Sequence, residues 1–202
     1  MRRSVLIALF HAWAATRAGA ETQTEADEYT RYELLAPDTA QFHILYEVTA
    51  TTPGATAFFN PIRKGSTASG EAVYDRLTGQ PLRFEVVTGI QARAAGYAEA
   101  DADTPYIEVQ LARPVPAQGE TRLLIEKTYK DEKSYFRDGD QIVFSRSLSI
   151  KRNAVVLPPG YELTACNVPA QVRREADGRI AISFMNPLPA EAPLVVKGRR
   201  LR

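Results

Sequence analysis

The chain has 202 residues, with 25 basic and 24 acidic side chains and a formal net charge of +1 at pH 7. Because basic and acidic side chains are nearly equal in number, the chain lacks the strongly basic composition that is typical of nucleic-acid-binding domains. No nucleic-acid partner is expected. A single cysteine, Cys166, excludes an intrachain disulfide.

Residues 1–20 are predicted to be a secretory signal peptide. Arg2 and Arg3 precede a mostly apolar run over residues 4–15, and Ala18-Gly19-Ala20 offers small residues for cleavage before Glu21. The alternative, a buried amphipathic helix, has no helical period to support it. The apolar run is too short to cross a bilayer, and because no later stretch is long enough, no membrane span is expected. The short Arg-Arg start and the absence of an Asn-x-Ser/Thr acceptor favour an exported bacterial protein, either periplasmic or secreted.

Residues 21–28 are acidic and polar and are predicted to form a flexible arm. Removal of residues 1–20 would take away the only tryptophan, Trp13, and one of the two histidines, His11. It would also remove three arginines, leaving 22 basic residues (25 minus 3) against 24 acidic ones. The exported chain is therefore expected to be slightly acidic.

Residues 29–202 are predicted to form a single all-β domain, an antiparallel β-sandwich. Apolar and polar residues alternate with the period of two that is typical of half-buried strands. The clearest alternating apolar sets are Phe42, Ile44, Tyr46 and Val48; Leu82, Phe84 and Val86; Ile107, Val109 and Leu111; and Ile180, Ile182 and Phe184. Further strands are predicted over residues 29–35, 71–77, 90–97, 122–129, 141–148, 154–157, 171–175 and 194–198.

Turn signals separate these segments. Thr78-Gly79, Asp138-Gly139 and Asp177-Gly178 indicate tight turns between strands. The stretch Asn60–Gly70 is the least regular and is predicted to be an exposed loop, whose Arg63-Lys64 pair is a small basic patch. No segment combines a helical period with helix caps, so no helix is expected.

The sequence offers little catalytic or metal chemistry, and no catalytic residue, metal or cofactor is expected. A Cys166–His43 pair is one route to a nucleophile, but both residues lie in predicted strands. Cys166 itself is interpreted as a buried thiol, with an intermolecular link as the alternative. The acidic residues Glu99, Asp101 and Asp103 could hold a hard cation, although a solvated loop explains them as well.

The segment 129–140 is the densest mixture of charged and aromatic residues in the chain, so it is the first choice for a binding loop. The residues proposed to bind are Tyr129, Asp131, Glu132, Lys133, Tyr135 and Arg137. A solvated connection followed by a hairpin turn is the simpler interpretation. The acids could also serve a hydrolase built around Glu126, Asp131 or Glu132, although Lys130, Lys133 and Arg137 are expected to keep these carboxylates ionised.

Two segments resemble the amino-terminal β-sandwich of the gluzincin aminopeptidases. Residues 107–129 present a strand, a turn with proline and glycine, and a second strand ending at Tyr129, and residues 156–163 contain a similar Pro-Pro-Gly-Tyr turn. The His-Glu-x-x-His motif of the catalytic domain is absent from the sequence. The resemblance therefore implies an isolated, non-catalytic sandwich and carries no site residues with it.

These observations together favour a non-enzymatic binding or interaction module of the cell envelope or periplasm, with a protein or glycan partner outside the cytoplasm. The alternatives are the carboxylate-dependent hydrolase and a carbohydrate-binding module.

Overall fold

The computed structural model describes residues 28–201, so the predicted signal peptide and all but the last residue of the predicted arm lie outside the described residues. The strands run in chain order as β1 Tyr29–Leu34, β2 Gln41–Ala50, β3 Ala57–Pro61, β4 Thr67–Asp75, β5 Phe84–Val87, β6 Tyr106–Gln110, β7 Thr121–Lys130, β8 Tyr135–Asp138, β9 Gln141–Leu148, β10 Arg152–Val156, β11 Tyr161–Cys166, β12 Gln171–Arg174, β13 Ile180–Met185 and β14 Ala192–Arg200. One short helix, α1 Gly89–Ala94, and a 3₁₀ turn, Pro37–Thr39, complete the described elements.

The strands form three sheets. A seven-stranded sheet has the order β12-β13-β10-β1-β2-β7-β4, a four-stranded sheet has the order β11-β14-β9-β8, and a three-stranded sheet has the order β3-β6-β5. Neighbouring strands are antiparallel except β1 and β10, which pair in parallel. The predicted all-β antiparallel sandwich is confirmed, with the β1–β10 pair as its parallel exception.

The core lies where the seven-stranded and four-stranded sheets face each other. Phe144 of β9 packs against Tyr32 of β1 and Phe42 of β2, with ring centroids 5.3 Å apart in each pair. Tyr129 of β7 extends the cluster beside Phe42 at 6.1 Å. Edge-on and tilted ring contacts of this kind are favoured by the aromatic quadrupole. The alternation of apolar residues in these strands therefore builds one shared interior.

The prediction of a strand over residues 90–97 is wrong, because α1 occupies this part of the chain. Thr88 caps the helix: its Oγ1 accepts the backbone N–H of Gln91, and the Gln91 side chain accepts the N–H of Thr88. This reciprocal capping box is a local helix start signal, and it outweighs the alternation. Gly89 lies so close to the following loop that a Cβ there would be 1.8 Å from the Asp101 carbonyl oxygen.

Two further details differ from the sequence-based expectation. Leu82 packs against the core, but Phe84 and Val86 are 36% and 56% exposed. Strand β5 is at the edge of the three-stranded sheet, and its partners on β6, Val109 and Ile107, are fully buried, so this face is covered at β6 and exposed at β5. The predicted loop 60–70 is shorter than expected, because β3 extends to Pro61 and β4 begins at Thr67.

The turn predictions fare better. Asp138-Gly139 joins β8 to β9 and Asp177-Gly178 joins β12 to β13, with both glycines at positive φ. Within residues 28–201, no helix is long and apolar enough to cross a membrane.

Candidate anion-binding site

The six residues of the predicted binding loop occupy two different environments. Strand β7 ends at Lys130 and β8 begins at Tyr135, so the loop is a four-residue connection between the strands. The buried members are Tyr129, Asp131 and Tyr135, and the exposed members are Glu132, Lys133 and Arg137. The simpler interpretation of this segment, a solvated connection, therefore holds only for its exposed residues.

Asp131 organises this connection from a buried position. Its carboxylate accepts hydrogen bonds from the backbone N–H and the hydroxyl of Ser134, from the Ser66 hydroxyl, and from Arg146 Nη1 at 3.2 Å. Burial opposes ionisation, but these bonds and the charge of Arg146 outweigh it, so the pKa of Asp131 lies below its usual value. The cation that pairs with Asp131 is Arg146 of β9, and not Lys130, Lys133 or Arg137 as expected.

The carboxylates proposed for a hydrolase are not brought together. Glu126 lies on the opposite face of β7 from Lys127 and Tyr129, as the strand's alternating burial shows. The Glu132 side chain is 76% exposed and lies 3.6 Å from Lys130. Since Asp131 is committed to Ser134 and Arg146, the three acids share no pocket.

The side chains of Tyr135 and Arg137 take no part in the hydrogen bonds of the Asp131 carboxylate. Tyr135 is fully buried, and its hydroxyl donates to the Leu35 carbonyl at 2.9 Å. Arg137 lines an open cleft of about 590 Å³ between the 3₁₀ turn and the Pro158-Pro159 turn. Two of the charges in this cleft, Arg179 and Asp177, are already paired with each other at 2.6 Å. This cleft is wider than the pocket described next, but it holds no buried charge.

Tyr129 leads to a smaller and more distinctive pocket, of about 190 Å³, at the junction of the three sheets. The lining residues are Thr30, Tyr32, Ile44, Tyr46, Asn60, Pro61, Arg63, Lys127, Tyr129, Arg146, Ser149 and Ile150. Among these residues, all within the described part of the chain, three are basic and none is acidic. We call this the cationic pocket.

Lys127 is the most unusual residue of the cationic pocket. It occupies an inward position of β7, in phase with Leu123, Ile125 and Tyr129, and is only 4% exposed. Its ammonium donates to Asn60 Oδ1 and lies 5.1 Å from the centre of the Tyr129 ring. Burial, reinforced by the charge of Arg146, lowers the pKa of Lys127 to about 8, against a weaker opposing effect of Glu71.

Arg146 supplies the second buried cation. It follows Phe144 on the inward face of β9 and is 8% exposed, with its guanidinium 5.4 Å from the centre of the Phe42 ring and 5.5 Å from that of Tyr129. Arg63 lies at the exposed rim, where its backbone N–H donates to the Tyr129 hydroxyl at 3.3 Å and its Nη1 donates to the Ser147 carbonyl at 3.1 Å. Tyr129 is thus the common neighbour of all three cations.

Charge is incompletely balanced in the cationic pocket. Asp131 neutralises part of Arg146 from behind, and Glu71 acts on Lys127 from the adjoining strand β4. Lys127 itself has a neutral acceptor, Asn60, as its hydrogen-bond partner. Buried charges are normally paired, so an ammonium held by an amide beside an open pocket is an arrangement that an anion would stabilise.

Lys127, Arg146 and Asn60 were not predicted as site residues from the sequence, and Arg63 was predicted only as part of a small basic patch. A signal was available for two of them. Lys127 and Arg146 each continue the inward alternation of a strand, after Ile125 and Phe144 respectively. A charged residue at an inward strand position is rare unless it is paired or functional.

The other chemical hypotheses find no support in the geometry. His43 lies in β2 with Nδ1 3.4 Å from Thr128 Oγ1, while Cys166 lies in a different sheet and contacts the Val168 carbonyl at 3.4 Å. Cys166 is partly buried rather than fully buried. The Asp101 carboxylate of the acidic run accepts the backbone N–H of Asp103, and it pairs with Lys64 at 3.0 Å.

Comparison with known proteins places the fold but not the function. No protein-family model matches the chain, and no curated protein matches it. Among solved structures, a two-domain M1 zinc metallopeptidase bound to L-tryptophan aligns with a TM-score of 0.52 at 13% identity. An M1 zinc metallopeptidase from Deinococcus radiodurans aligns with a TM-score of 0.51 at 12% identity. In both cases 85% of this chain is covered, and the chain spans 41% of the length of the matched protein.

The alignments fall on the non-catalytic β domain of these enzymes. At this identity the likeness concerns the fold alone. The resemblance to gluzincin aminopeptidases that residues 107–129 and 156–163 suggested is confirmed at that level: the chain has the fold of the non-catalytic, amino-terminal β domain of M1 aminopeptidases.

Proposed function

We propose that this chain is a non-enzymatic binding module that acts outside the cytoplasm and holds an anionic group of its ligand in the cationic pocket. The observation that carries the proposal is the lining of that pocket: Lys127 and Arg146 are buried, Arg63 stands at the rim, and the described lining contains no acidic side chain. An anion placed there would gain charge-assisted hydrogen bonds from two cations that are themselves largely removed from water.

The non-enzymatic part of the proposal is supported by two observations. The solved structures with this fold match through their non-catalytic domain. The acids that a hydrolase would need, Glu126, Asp131 and Glu132, lie apart. Incubation of the purified chain with Zn²⁺ and aminoacyl chromogenic substrates is expected to give no turnover above a zinc blank, and zinc-dependent hydrolysis would contradict the proposal.

Export is supported by residues 1–20, with their arginine start, apolar run and small-residue cleavage site. The test is fractionation of cells that express the complete chain. The protein is expected in the periplasm or the medium with Glu21 as its first residue. Recovery of the uncleaved chain from the cytoplasm would refute the extracytoplasmic role.

Anion binding is tested by thermal unfolding at pH 7 with a panel of anions: acetate, benzoate, phosphate, sulfate and phenyl phosphate. Chloride at matched ionic strength serves as the reference. A ligand that binds only the folded state raises the melting temperature according to its concentration and affinity. At least one member of the panel should do so for the native chain and fail to do so for Lys127→Met.

The matched control is Lys130→Met, since Lys130 lies on the same strand but its side chain is 55% exposed. This variant should respond to anions like the native chain. If no anion of the panel has an effect, or if both variants lose the effect equally, the cationic pocket is not an anion site.

A further inference from the structure

The cationic pocket also carries information about the kind of anion it would hold, an inference that rests on the proposed function. We infer that its ligand is a small apolar monocarboxylate, with the carboxylate between Lys127 and Arg146 and the apolar body against the neighbouring aromatic and aliphatic walls.

The walls are more apolar than polar. Apart from the three cations, the lining comprises the tyrosine rings of Tyr32, Tyr46 and Tyr129, the apolar side chains of Ile44, Pro61 and Ile150, and the polar side chains of Thr30, Asn60 and Ser149. A bare inorganic anion would satisfy the cations and leave this apolar surface in contact with water. A ligand with an apolar body beside its anionic group would cover the apolar walls as well as pair with the cations. Burying apolar surface is favourable at about 25 cal/mol per Å².

The volume suits a small body. The pocket measures about 190 Å³ and is open to solvent. A carboxylate with a single ring or a short branched chain fits in this space, whereas a long acyl chain or an oligosaccharide would extend out of it.

The charge balance favours one negative charge over two. Asp131 Oδ2 lies 3.2 Å from Arg146 Nη1, so an anion that shares Arg146 approaches an existing carboxylate. Glu71 adds a second negative charge on the side of Lys127. A phosphate monoester, which is close to dianionic at neutral pH, meets more repulsion from these groups than a monocarboxylate does.

The hydrogen-bond donors also suit a carboxylate. Asn60 Oδ1 is occupied by the Lys127 ammonium, which leaves the Asn60 amide N–H₂ as a donor in the lining. The ammonium of Lys127 has three protons and the guanidinium of Arg146 has five. Hydrogen-bond donors therefore converge from β3, β7 and β9, and the two oxygens of a carboxylate can accept from them. A ligand that carries an uncharged amide in place of the carboxylate would bring its own N–H₂ donors against these donors.

The experiment is isothermal titration of the exported form of the chain, at pH 7 and constant ionic strength, with four probes: benzoate, acetate, benzamide and phenyl phosphate. Benzoate is expected to bind with a Kd of about 1 mM or tighter, as suits a ligand of nine non-hydrogen atoms. Acetate and benzamide should each bind at least about tenfold more weakly, because one lacks the apolar body and the other the charge. Phenyl phosphate should bind more weakly than benzoate.

Variants locate the binding. Lys127→Met should weaken benzoate binding at least about tenfold, and Arg63→Gln, at the rim, should weaken it by a smaller factor. Lys130→Met should leave it within about twofold of the native value. Circular dichroism of each variant establishes that it is folded before titration.

The results separate the two levels of the argument. Tighter binding of phenyl phosphate than of benzoate would overturn the carboxylate assignment and leave the anion site standing. Equal binding of acetate and benzoate would overturn the apolar body. If none of the anions binds, the proposed function falls together with the inference.

Discussion

The buried ammonium of Lys127 should make the stability of the folded chain rise with pH, and Lys127→Met should remove that rise. Methionine keeps the length and approximate volume of lysine and removes the charge. In the folded protein, burial and the nearby charge of Arg146 lower the pKa of Lys127 to about 8, from an ordinary value of 10.5. The substitution therefore isolates one ionisation in an otherwise unchanged core.

The sign and size of the effect follow from proton linkage. Between pH 8 and 10.5 the unfolded chain holds a proton on Lys127 that the folded chain has released, so the free energy of unfolding increases with pH. The limiting slope is about 1.4 kcal/mol per pH unit. Integrated from pH 7 to pH 9.5, the contribution of Lys127 is about 2 kcal/mol. Below pH 7 both states hold the proton and the contribution is constant.

The range ends at pH 9.5 because tyrosines act in the opposite direction above it. Burial raises the pKa of Tyr129 and of Tyr32, so ionisation of these residues in the unfolded chain lowers stability as the pH passes 10. Below that limit their effect is small, and it is common to the native chain and the variant.

Urea unfolding followed by circular dichroism at pH 7.0, 8.0, 8.5, 9.0 and 9.5 measures the effect. The difference in free energy of unfolding between the native chain and Lys127→Met should shift by about 2 kcal/mol in favour of the native chain across this range. Lys130→Met should run parallel to the native chain, since Lys130 is exposed in both states. A parallel curve for Lys127→Met would show that the ammonium is not desolvated, and the cationic pocket would lose its main physical support.

Three further substitutions test other parts of the structure. Asp131→Asn should lower the free energy of unfolding by roughly 3 kcal/mol in urea at pH 7, because it leaves the buried guanidinium of Arg146 without its counter-charge. Since the pKa of Asp131 is lowered in the folded chain, this difference between the native chain and the variant should shrink as the pH falls below 3.8. A difference that stays constant with pH would contradict the Asp131 network. Gly89→Ala should lower the free energy of unfolding by at least about 2 kcal/mol, because the added Cβ would clash with the Asp101 carbonyl. Ile90→Ala, on the exposed side of the same helix, should change it by less than about 0.5 kcal/mol. Equal effects of the two substitutions would rule out the clash. Tyr135→Phe should cost about 1 kcal/mol, the value of a buried hydroxyl donating to a backbone carbonyl, and an unchanged urea midpoint would count against that bond.

Much of the fold could be predicted from local patterns. Residues 42–48, 107–111 and 180–184 alternate with a period of two and form strands β2, β6 and β13 with the expected faces buried. Aspartate–glycine pairs at 138–139 and 177–178 form hairpin turns, because glycine adopts positive φ without strain. Each of these features depends on neighbours along the chain, so the sequence contains them directly.

Other features depended on what covers a segment. Phe84 and Val86 alternate as well as any buried pair, yet they are 36% and 56% exposed, while their partners on β6, Val109 and Ile107, are fully buried on the same face. The parallel pairing of β1 with β10 joins segments more than a hundred residues apart, and no local pattern encodes it. Alternation shows that a strand has two unlike faces, and only the tertiary structure decides which face is covered.

The candidate site divides in the same way. The sequence by itself indicated an all-β domain of the aminopeptidase-like sandwich type, and it singled out Tyr129 and Asp131 in a segment rich in charge. Only the tertiary structure placed Tyr129 between Lys127, Arg146 and Arg63, since these residues come from three separate segments that converge where three sheets meet. A lysine and an arginine in strands look like surface residues until burial is known. Burial is a property of the packed sheets, and it turns two ordinary basic residues into a candidate site for an anion.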